Sequence, residues 1–137
     1  MKFFKKMKDG GAESTVTGYW LIEWKRLFSI VLIKFEGESR DAYHEHAFNC
    51  VNWLLKGKLF EQRLPDLEKQ KSWLRFTKWY HPSWRPFIIR REHMHKVDSI
   101  GTSWVLSFRG PWAKTWREYL PNEDRTRTLG HGRHELG

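Results

Sequence analysis

The chain has 137 residues, of which 39% are hydrophobic and 16% aromatic, and its formal net charge is +9. This length suits a single domain with a real core, and so much bulky hydrophobe, with nine Trp and nine Phe, excludes a disordered chain. No apolar run approaches the roughly 18 residues that span a bilayer, and a single cysteine excludes an internal disulfide.

Residues 1–8 lack the continuous apolar stretch of a secretory signal, so we expect a cytoplasmic protein and no membrane partner. The positive charge makes nucleic acid a partner to consider, but Lys and Arg are scattered, and a solvated surface explains most of that charge. Residues 73–80, where aromatic and basic residues alternate, are the best candidate for stacking on bases. Core packing and protein contacts are commoner roles for aromatics, so nucleic acid is the less favoured partner.

In chain order, residues 1–14 are basic, contain Asp9-Gly10-Gly11 and are expected to be a flexible lead-in. Residues 17–24 and 27–35 are rich in β-branched and aromatic side chains and predict strands, the second one buried on both faces. A polar turn at 36–41 follows. Residues 43–55 predict a strand, Lys56-Gly57 a tight turn, and residues 58–62 a return strand, together a hairpin.

A polar loop is expected at 64–71, and further strands at 73–79, 87–97, 103–108 and 112–119. Residues 98–101 form a turn sequence, and residues 121–137 predict a loosely held polar tail. Many short strands with little helical periodicity argue for an all-β sandwich or barrel. We expect one jelly-roll β-barrel over residues 15–120, between a flexible basic N-terminus and a polar C-terminal tail.

His44 and His46 are one residue apart, and in a strand such a pair points to the same side because side chains alternate between faces. In one unbroken strand, that face also carries Cys50 and Asn52. These groups would leave unsatisfied polar atoms in a dry core unless a metal, water or ligand lies between them. Imidazole is the commonest protein ligand of first-row metals, so the pair indicates a metal site. The alternative is two surface histidines on an edge strand.

The segment His44-x-His46-x-x-x-Cys50, with Gly57 seven residues beyond the cysteine, resembles the first motif of the cupin superfamily. That motif reads His-x-His, three or four residues, Glu, six residues, Gly, so Cys50 stands in the glutamate position. Met94-His95-Lys96-Val97 resembles the His-Arg-Val segment of the second cupin motif. The resemblance implies a jelly-roll barrel in which His44, His46 and His95 bind Fe(II) or another divalent ion such as Mn, Ni or Zn.

Cysteine in the glutamate position is similar to the cysteine dioxygenase branch, which binds Fe(II) through three histidines. That branch pairs the cysteine with a late tyrosine before Ser-Pro, whereas Arg109 stands before Gly110-Pro111 here, so its activity is not transferred. Cys50 is expected to be a small buried thiol. Cys50, Asn52, His93 and Arg109 are candidates to contact substrate or to hydrogen bond a ligand, His93 because it shares parity with His95.

The layout of the chain resembles that of small cupin-like proteins of tailed bacteriophages. There, a strand like Tyr19-x-x-x-x-Trp24 precedes the His-x-His segment, and an ending like Trp104-x-Leu106-x-Phe108-x-Gly110-Pro111 is followed by Trp116. The resemblance covers residues 19–119. It implies a phage-encoded metal-binding cupin located in the host cytoplasm or the virion.

Two classes of function follow. The first is an iron-dependent dioxygenase or related enzyme for a small polar substrate, in which Arg90, Arg91 or Arg109 pairs with a substrate carboxylate. The second is a non-catalytic phage structural or interaction protein that uses the barrel as a binding or assembly module, with a second copy or another phage protein as partner. No residue is assigned a catalytic role. His81, His131 and His134 are expected to be solvated.

Overall fold

The computed structural model describes residues 1–8, 15–37, 43–64, 76–91, 94–120, 123 and 125–130. The described residues contain no helix, and so none that could cross a membrane. Their strands are β1 (Lys2–Lys8), β2 (Val16–Trp24), β3 (Phe28–Glu36), β4 (Tyr43–His44), β5 (Cys50–Lys56), β6 (Leu59–Leu64), β7 (Phe76–Tyr80), β8 (Phe87–Ile89), β9 (Met94–Ser99), β10 (Thr102–Arg109), β11 (Thr115–Leu120) and β12 (Arg125–Gly130).

The strands form two six-stranded antiparallel sheets, as the predicted jelly roll requires. The first sheet has the order β1-β2-β3-β10-β5-β8, and the second has the order β12-β11-β4-β9-β6-β7. Buried apolar side chains from both sheets form the main core between them. They are Trp20, Val31, Ile33, Leu54 and Val105 of the first sheet and Leu59 and Tyr80 of the second.

The interior face of the first sheet carries both apolar and polar side chains. Ile33 lies opposite Val105 on the neighbouring strand of the first sheet. Further along the same sheet, the buried side chains of Ser29 and Cys50 flank that of Arg109. A buried guanidinium is costly without partners, so Arg109 is an interior polar group to consider beside the histidines.

The chain passes from one sheet to the other at Gly57, and the predicted hairpin of residues 43–62 is therefore wrong. β5 belongs to the first sheet and β6 to the second. Gly57 has a φ of 98°, and a Cβ there would lie 2.2 Å from Oγ of Ser103, so only glycine fits this turn. The local pattern predicted two strands around a tight turn correctly, but it does not say whether they pair.

Two further predicted strands differ from those in the structure. Residues 87–97 form β8 and β9, which lie in different sheets. β3 is buried on one face only, because Val31 and Ile33 are buried whereas Ile30 and Leu32 are half-buried on the outside. The outside of the first sheet therefore carries apolar side chains that the core does not cover.

The barrel extends beyond residues 15–120 at both ends. β1, placed in the expected lead-in, pairs with β2, and β12, placed in the expected tail, pairs with β11. Both are edge strands rich in Lys, Arg or Thr, and such strands lack the apolar alternation that marks a strand in a sequence. Four segments with predictions lie outside the described residues, namely 9–14, 38–42, 65–75 and 131–137. Their lead-in, turn, loop and tail stay predictions.

Candidate metal centre

His44 and His95 come together through strand register. They lie directly opposite each other on the neighbouring strands β4 and β9. Opposite residues of an antiparallel pair have Cβ atoms about 5 Å apart on the same face, and this face is turned to the interior. His95 is buried, and His44 is half-buried.

His46 reaches the same place by a different route from the one predicted. β4 ends at His44, and residues 45–49 carry the chain from the second sheet to β5 of the first. The bend is anchored by Glu45, whose amide donates to the carbonyl oxygen of Arg117 at 2.8 Å. The Glu45 carboxylate in turn accepts from Nε and Nη2 of Arg117, both at 2.9 Å. The unbroken strand over 43–55 was wrong, but the pair of histidines still converges.

The ligand nitrogens of His44, His46 and His95 all lie within 4.8 Å of one another. Nε2 of His46 is 2.8 Å from Nε2 of His95. Nitrogen lone pairs converging from three imidazoles are the donor set of a first-row divalent ion, and three protein ligands leave coordination positions open for another ligand. Among the described residues, this group of ligand atoms contains the three histidines and neither a thiol nor a carboxylate.

Glu61 on β6 determines which nitrogen of His95 is available. Its Oε2 accepts from Nδ1 of His95 at 2.6 Å, and its Oε1 accepts from Nε of Arg63 at 2.6 Å and from the Tyr80 hydroxyl at 3.1 Å. Burial alone raises the pKa of Glu61, but the hydrogen bonds from His95 and Arg63 and the charge of Arg63 outweigh burial and lower the pKa below its usual value. An ionised carboxylate holds the proton on Nδ1, which leaves the Nε2 lone pair for a metal.

Sequence reasoning missed Glu61, although a signal was present. Glu61 has the same parity as the buried Leu59 in a strand of alternating pattern, so it lies at an inward position where an unpaired carboxylate is costly. Glu118 on β11 is a second such residue. It is fully buried, lies opposite His44, and accepts from Nη2 of Arg127 at 2.9 Å.

Cys50 and Asn52 contact each other, and the thiol is not one of the grouped ligand atoms. Nδ2 of Asn52 donates to Sγ of Cys50 at 3.3 Å, and the thiol donates to the carbonyl oxygen of Ile89 at 3.7 Å. The thiol is buried in a cluster with Ala47, Phe48 and Ile89, which is the environment expected of a small apolar side chain. Because β5 begins after the bend, the shared parity of Cys50 with His44 and His46 has no structural meaning.

Arg109 is the interior member of the three arginines considered for substrate. Its side chain is 3% exposed, whereas Arg90 and Arg91 are exposed. The guanidinium carbon lies 4.5 Å from the centre of the Phe48 ring, and that ring lies 5.2 Å from the His46 ring. A buried cation therefore lies one aromatic ring away from the candidate ligands.

Of the histidines that the structure describes, His81 alone lies outside this cluster. His81 is exposed in the connection after β7. His93, His131 and His134 lie outside the described residues. A surface pocket of about 280 Å³ is lined by Glu61, Arg63, Thr77 and Lys78, so Glu61 borders both His95 and this pocket.

No protein-family model and no curated protein matches the sequence. Among solved structures, the polyketide cyclase RemF from Streptomyces resistomycificus is similar with a TM-score of 0.65 and 16% identity, over 88% of this chain and 83% of that one. A sugar phosphate isomerase of the cupin superfamily from Silicibacter pomeroyi gives a TM-score of 0.58 and 11% identity, over 89% and 76% of the two chains.

Fe(II)-HppE with an alternative substrate gives a TM-score of 0.58 and 11% identity, over 77% of this chain. The present chain spans 55% of the length of that protein. At such identities, the likeness establishes the fold and no more. The chain therefore has the jelly-roll fold of the cupin superfamily.

Proposed function

We propose that this protein is a metal-binding cupin in which His44, His46 and His95 hold a divalent first-row ion, Fe(II) being the first candidate and Mn, Ni or Zn the others. The convergence of the three ligand nitrogens within 4.8 Å carries this proposal. The ionised carboxylate of Glu61 supports it, because it leaves Nε2 of His95 unprotonated. The fold is shared with HppE, which was solved with Fe(II).

The chemistry we propose is that of an iron-dependent dioxygenase or a related enzyme acting on a small acid. Bound at the three histidines, the ion supplies open coordination positions and Lewis acidity. Arg109 pairs with the substrate carboxylate by a charge-assisted contact. Phe48 and Trp112, whose ring centres are 5.4 Å apart, shield this side of the site from water. We further propose that the gene is phage-borne, from the order of motifs between Tyr19 and Trp116.

The decisive experiment is elemental analysis of the protein purified without a His tag, beside two variants. We expect close to one metal ion per wild-type chain and none in His46→Ala. The control, His81→Ala, removes an exposed histidine outside the cluster and keeps the metal. Equal metal loss in both variants would place the site elsewhere. An oxygen-consumption screen of small thiols and carboxylic acids with the iron-loaded protein then tests the proposed reaction class.

A non-catalytic assembly role is the second candidate, and the uncovered apolar face of the first sheet favours it. A chain without metal, whose melting temperature is unchanged by Fe(II), Mn(II), Ni(II) or Zn(II), would contradict the metal proposal. It would leave the barrel as a binding module.

A further inference from the structure

The outer face of the first sheet carries a continuous apolar strip that no function described above uses. Strand register aligns its members in two adjacent rows across β2, β3, β10, β5 and β8. One row contains Ile22, Ile30, Phe108, Val51 and Ile88, and the other contains Tyr19, Leu32, Leu106 and Trp53. We call these nine residues the apolar strip.

The strip lies on the outside because its residues alternate with buried ones. On β10, for example, Leu106 and Phe108 alternate with the buried Val105 and Ser107. Phe108 is 41% exposed, and Ile88 is 59% exposed. Single exposed apolar residues are common, but a contiguous apolar patch across five strands marks an interaction surface.

The two borders of the strip differ in chemistry. Along one border, Lys34 and Lys56 flank Trp104 on the neighbouring strands, and Nζ of Lys34 lies 5.7 Å from the Trp104 ring centre. Along the opposite border, Trp24 and Phe28 pair across β2 and β3 with ring centres 6.4 Å apart. Because Lys34 is also ion-paired with Glu36 at 2.8 Å, the first border is partly cationic, and the other is aromatic.

We propose that this face binds a second copy of the same chain in a two-fold symmetric dimer. The two-fold axis lies in the plane of the interface, parallel to the two apolar rows and between them. The row that contains Ile30 in one copy then packs on the row that contains Leu32 in the other copy. The same axis places the Lys34 border of one copy over the Trp24 and Phe28 border of the other. Lysine over an aromatic face is a favourable cation–π pairing, and the two lysine borders lie at opposite ends, where they do not repel.

The size of the face agrees with a modest dimer. Five strands about 4.8 Å apart, of three to nine residues each at about 3.3 Å per residue, cover at most about 600 Å² per copy. The total of at most about 1,200 Å² is at the lower limit of stable specific interfaces. We therefore expect a dimer with a Kd in the micromolar range. Two sheets can pack face to face in this way.

Sedimentation velocity over a range of concentrations tests the dimer, with Phe108→Glu as the disrupting variant and Trp84→Glu as its control. Phe108 lies in the middle of one row, whereas Trp84 is 96% exposed and lies outside the strip. A buried, unpaired carboxylate in each half of the interface should raise the Kd at least about 100-fold. Trp84→Glu should leave the Kd unchanged. Since Phe108 is on the outer face, the melting curve and metal content of Phe108→Glu should match those of the wild type.

Ile88→Glu on the edge strand β8 provides a second disrupting variant, in case Phe108→Glu fails to fold. A wild-type protein that stays monomeric up to about 100 µM, well above a micromolar Kd, would overturn the proposal. So would a dimer that neither variant weakens. Binding of a fluorescent oligothymidylate by a monomeric wild type, lost in Phe108→Glu, would overturn it in favour of a nucleic-acid platform. None of these readouts depends on metal at the histidines, so the dimer and the metal site fail independently.

Discussion

At the scale of single residues, His95 shows how a buried carboxylate prepares a ligand. The short contact between its Nδ1 and Oε2 of Glu61 fixes the side of the ring that carries the proton. Arg63 and Tyr80 hold Glu61 in turn through hydrogen bonds to Oε1. The geometry of one imidazole thus depends on three side chains from two further strands.

Replacing Glu61 by Gln tests this dependence. The amide has no charge to hold the Nδ1 proton, and its NH₂ group favours the opposite tautomer, so we expect divalent-metal affinity to fall about 10- to 100-fold. Competition titration with a chromophoric chelator measures the change. Glu36→Gln, at an exposed carboxylate bonded to Lys34, is the control and should leave the affinity unchanged. An unaltered affinity in Glu61→Gln would contradict the role of the carboxylate.

Tyr80 gives the same network a dependence on pH. Burial and the neighbouring Glu61 carboxylate raise the pKa of Tyr80 to about 12. The folded state therefore keeps a proton that the unfolded state, with a pKa near 10, has lost. The contribution of this proton to the stability of the folded state is fully present below pH 10 and disappears as the pH rises towards 12. Urea unfolding between pH 10 and 12 should show that the free energy of unfolding falls more steeply with pH for the wild type than for Tyr80→Phe. The same dependence on pH in both proteins would refute this.

The candidate ligands could be predicted from the sequence, but their supporting residues could not. His44, His46 and His95 followed from short motifs, although strand parity was the wrong reason for His46. Glu61 and Glu118 belong to no motif, and their burial depends on which strand lies beside them. Arg109 was one of three equivalent arginines until burial distinguished it from Arg90 and Arg91.

At the scale of elements, the crossings between sheets are what sequence periodicity cannot reveal. The richness in β-branched and aromatic residues predicted the positions of β2 and β3, although β3 proved to be buried on one face only. The sequence pattern of β5 and β6 is the same whether they pair with each other or separate into two sheets. Long-range contacts decide that choice, and a local pattern does not contain them.

Gly57 and Gly37 offer a matched test of the crossing. Both have positive φ, but a Cβ at Gly57 would lie 2.2 Å from Ser103, whereas one at Gly37 meets nothing within 4 Å. Gly37→Ala should cost about 1 kcal/mol of unfolding free energy from backbone strain alone. Gly57→Ala adds a steric clash and should cost about 3 kcal/mol. If both variants lost the same free energy of unfolding in urea, Ser103 would be able to move away from the added methyl group at little cost.

At the scale of the whole molecule, the proposed metal site would couple ion binding to the stability of the barrel. His44 and His95 belong to the second sheet, while His46 lies on the connection to the first. An ion that binds only the folded barrel at about 100 times its Kd adds about 2.7 kcal/mol of stability. We expect the melting temperature to rise by roughly 10 °C on adding the ion and to return on chelation. In His44→Ala, the rise should be absent, and a rise that persisted there would contradict the site.

The hydrogen bonds of the buried serines around Gly57 have a consequence for the exchange of backbone protons. The Lys58 amide donates to Oγ of Ser103, which lies 2.6 Å from Oγ of Ser99. Because Ser103 is fully buried, this amide can exchange its proton with water only when the crossing between the sheets opens. Hydrogen exchange at Lys58 therefore reports how often the two sheets separate at this point.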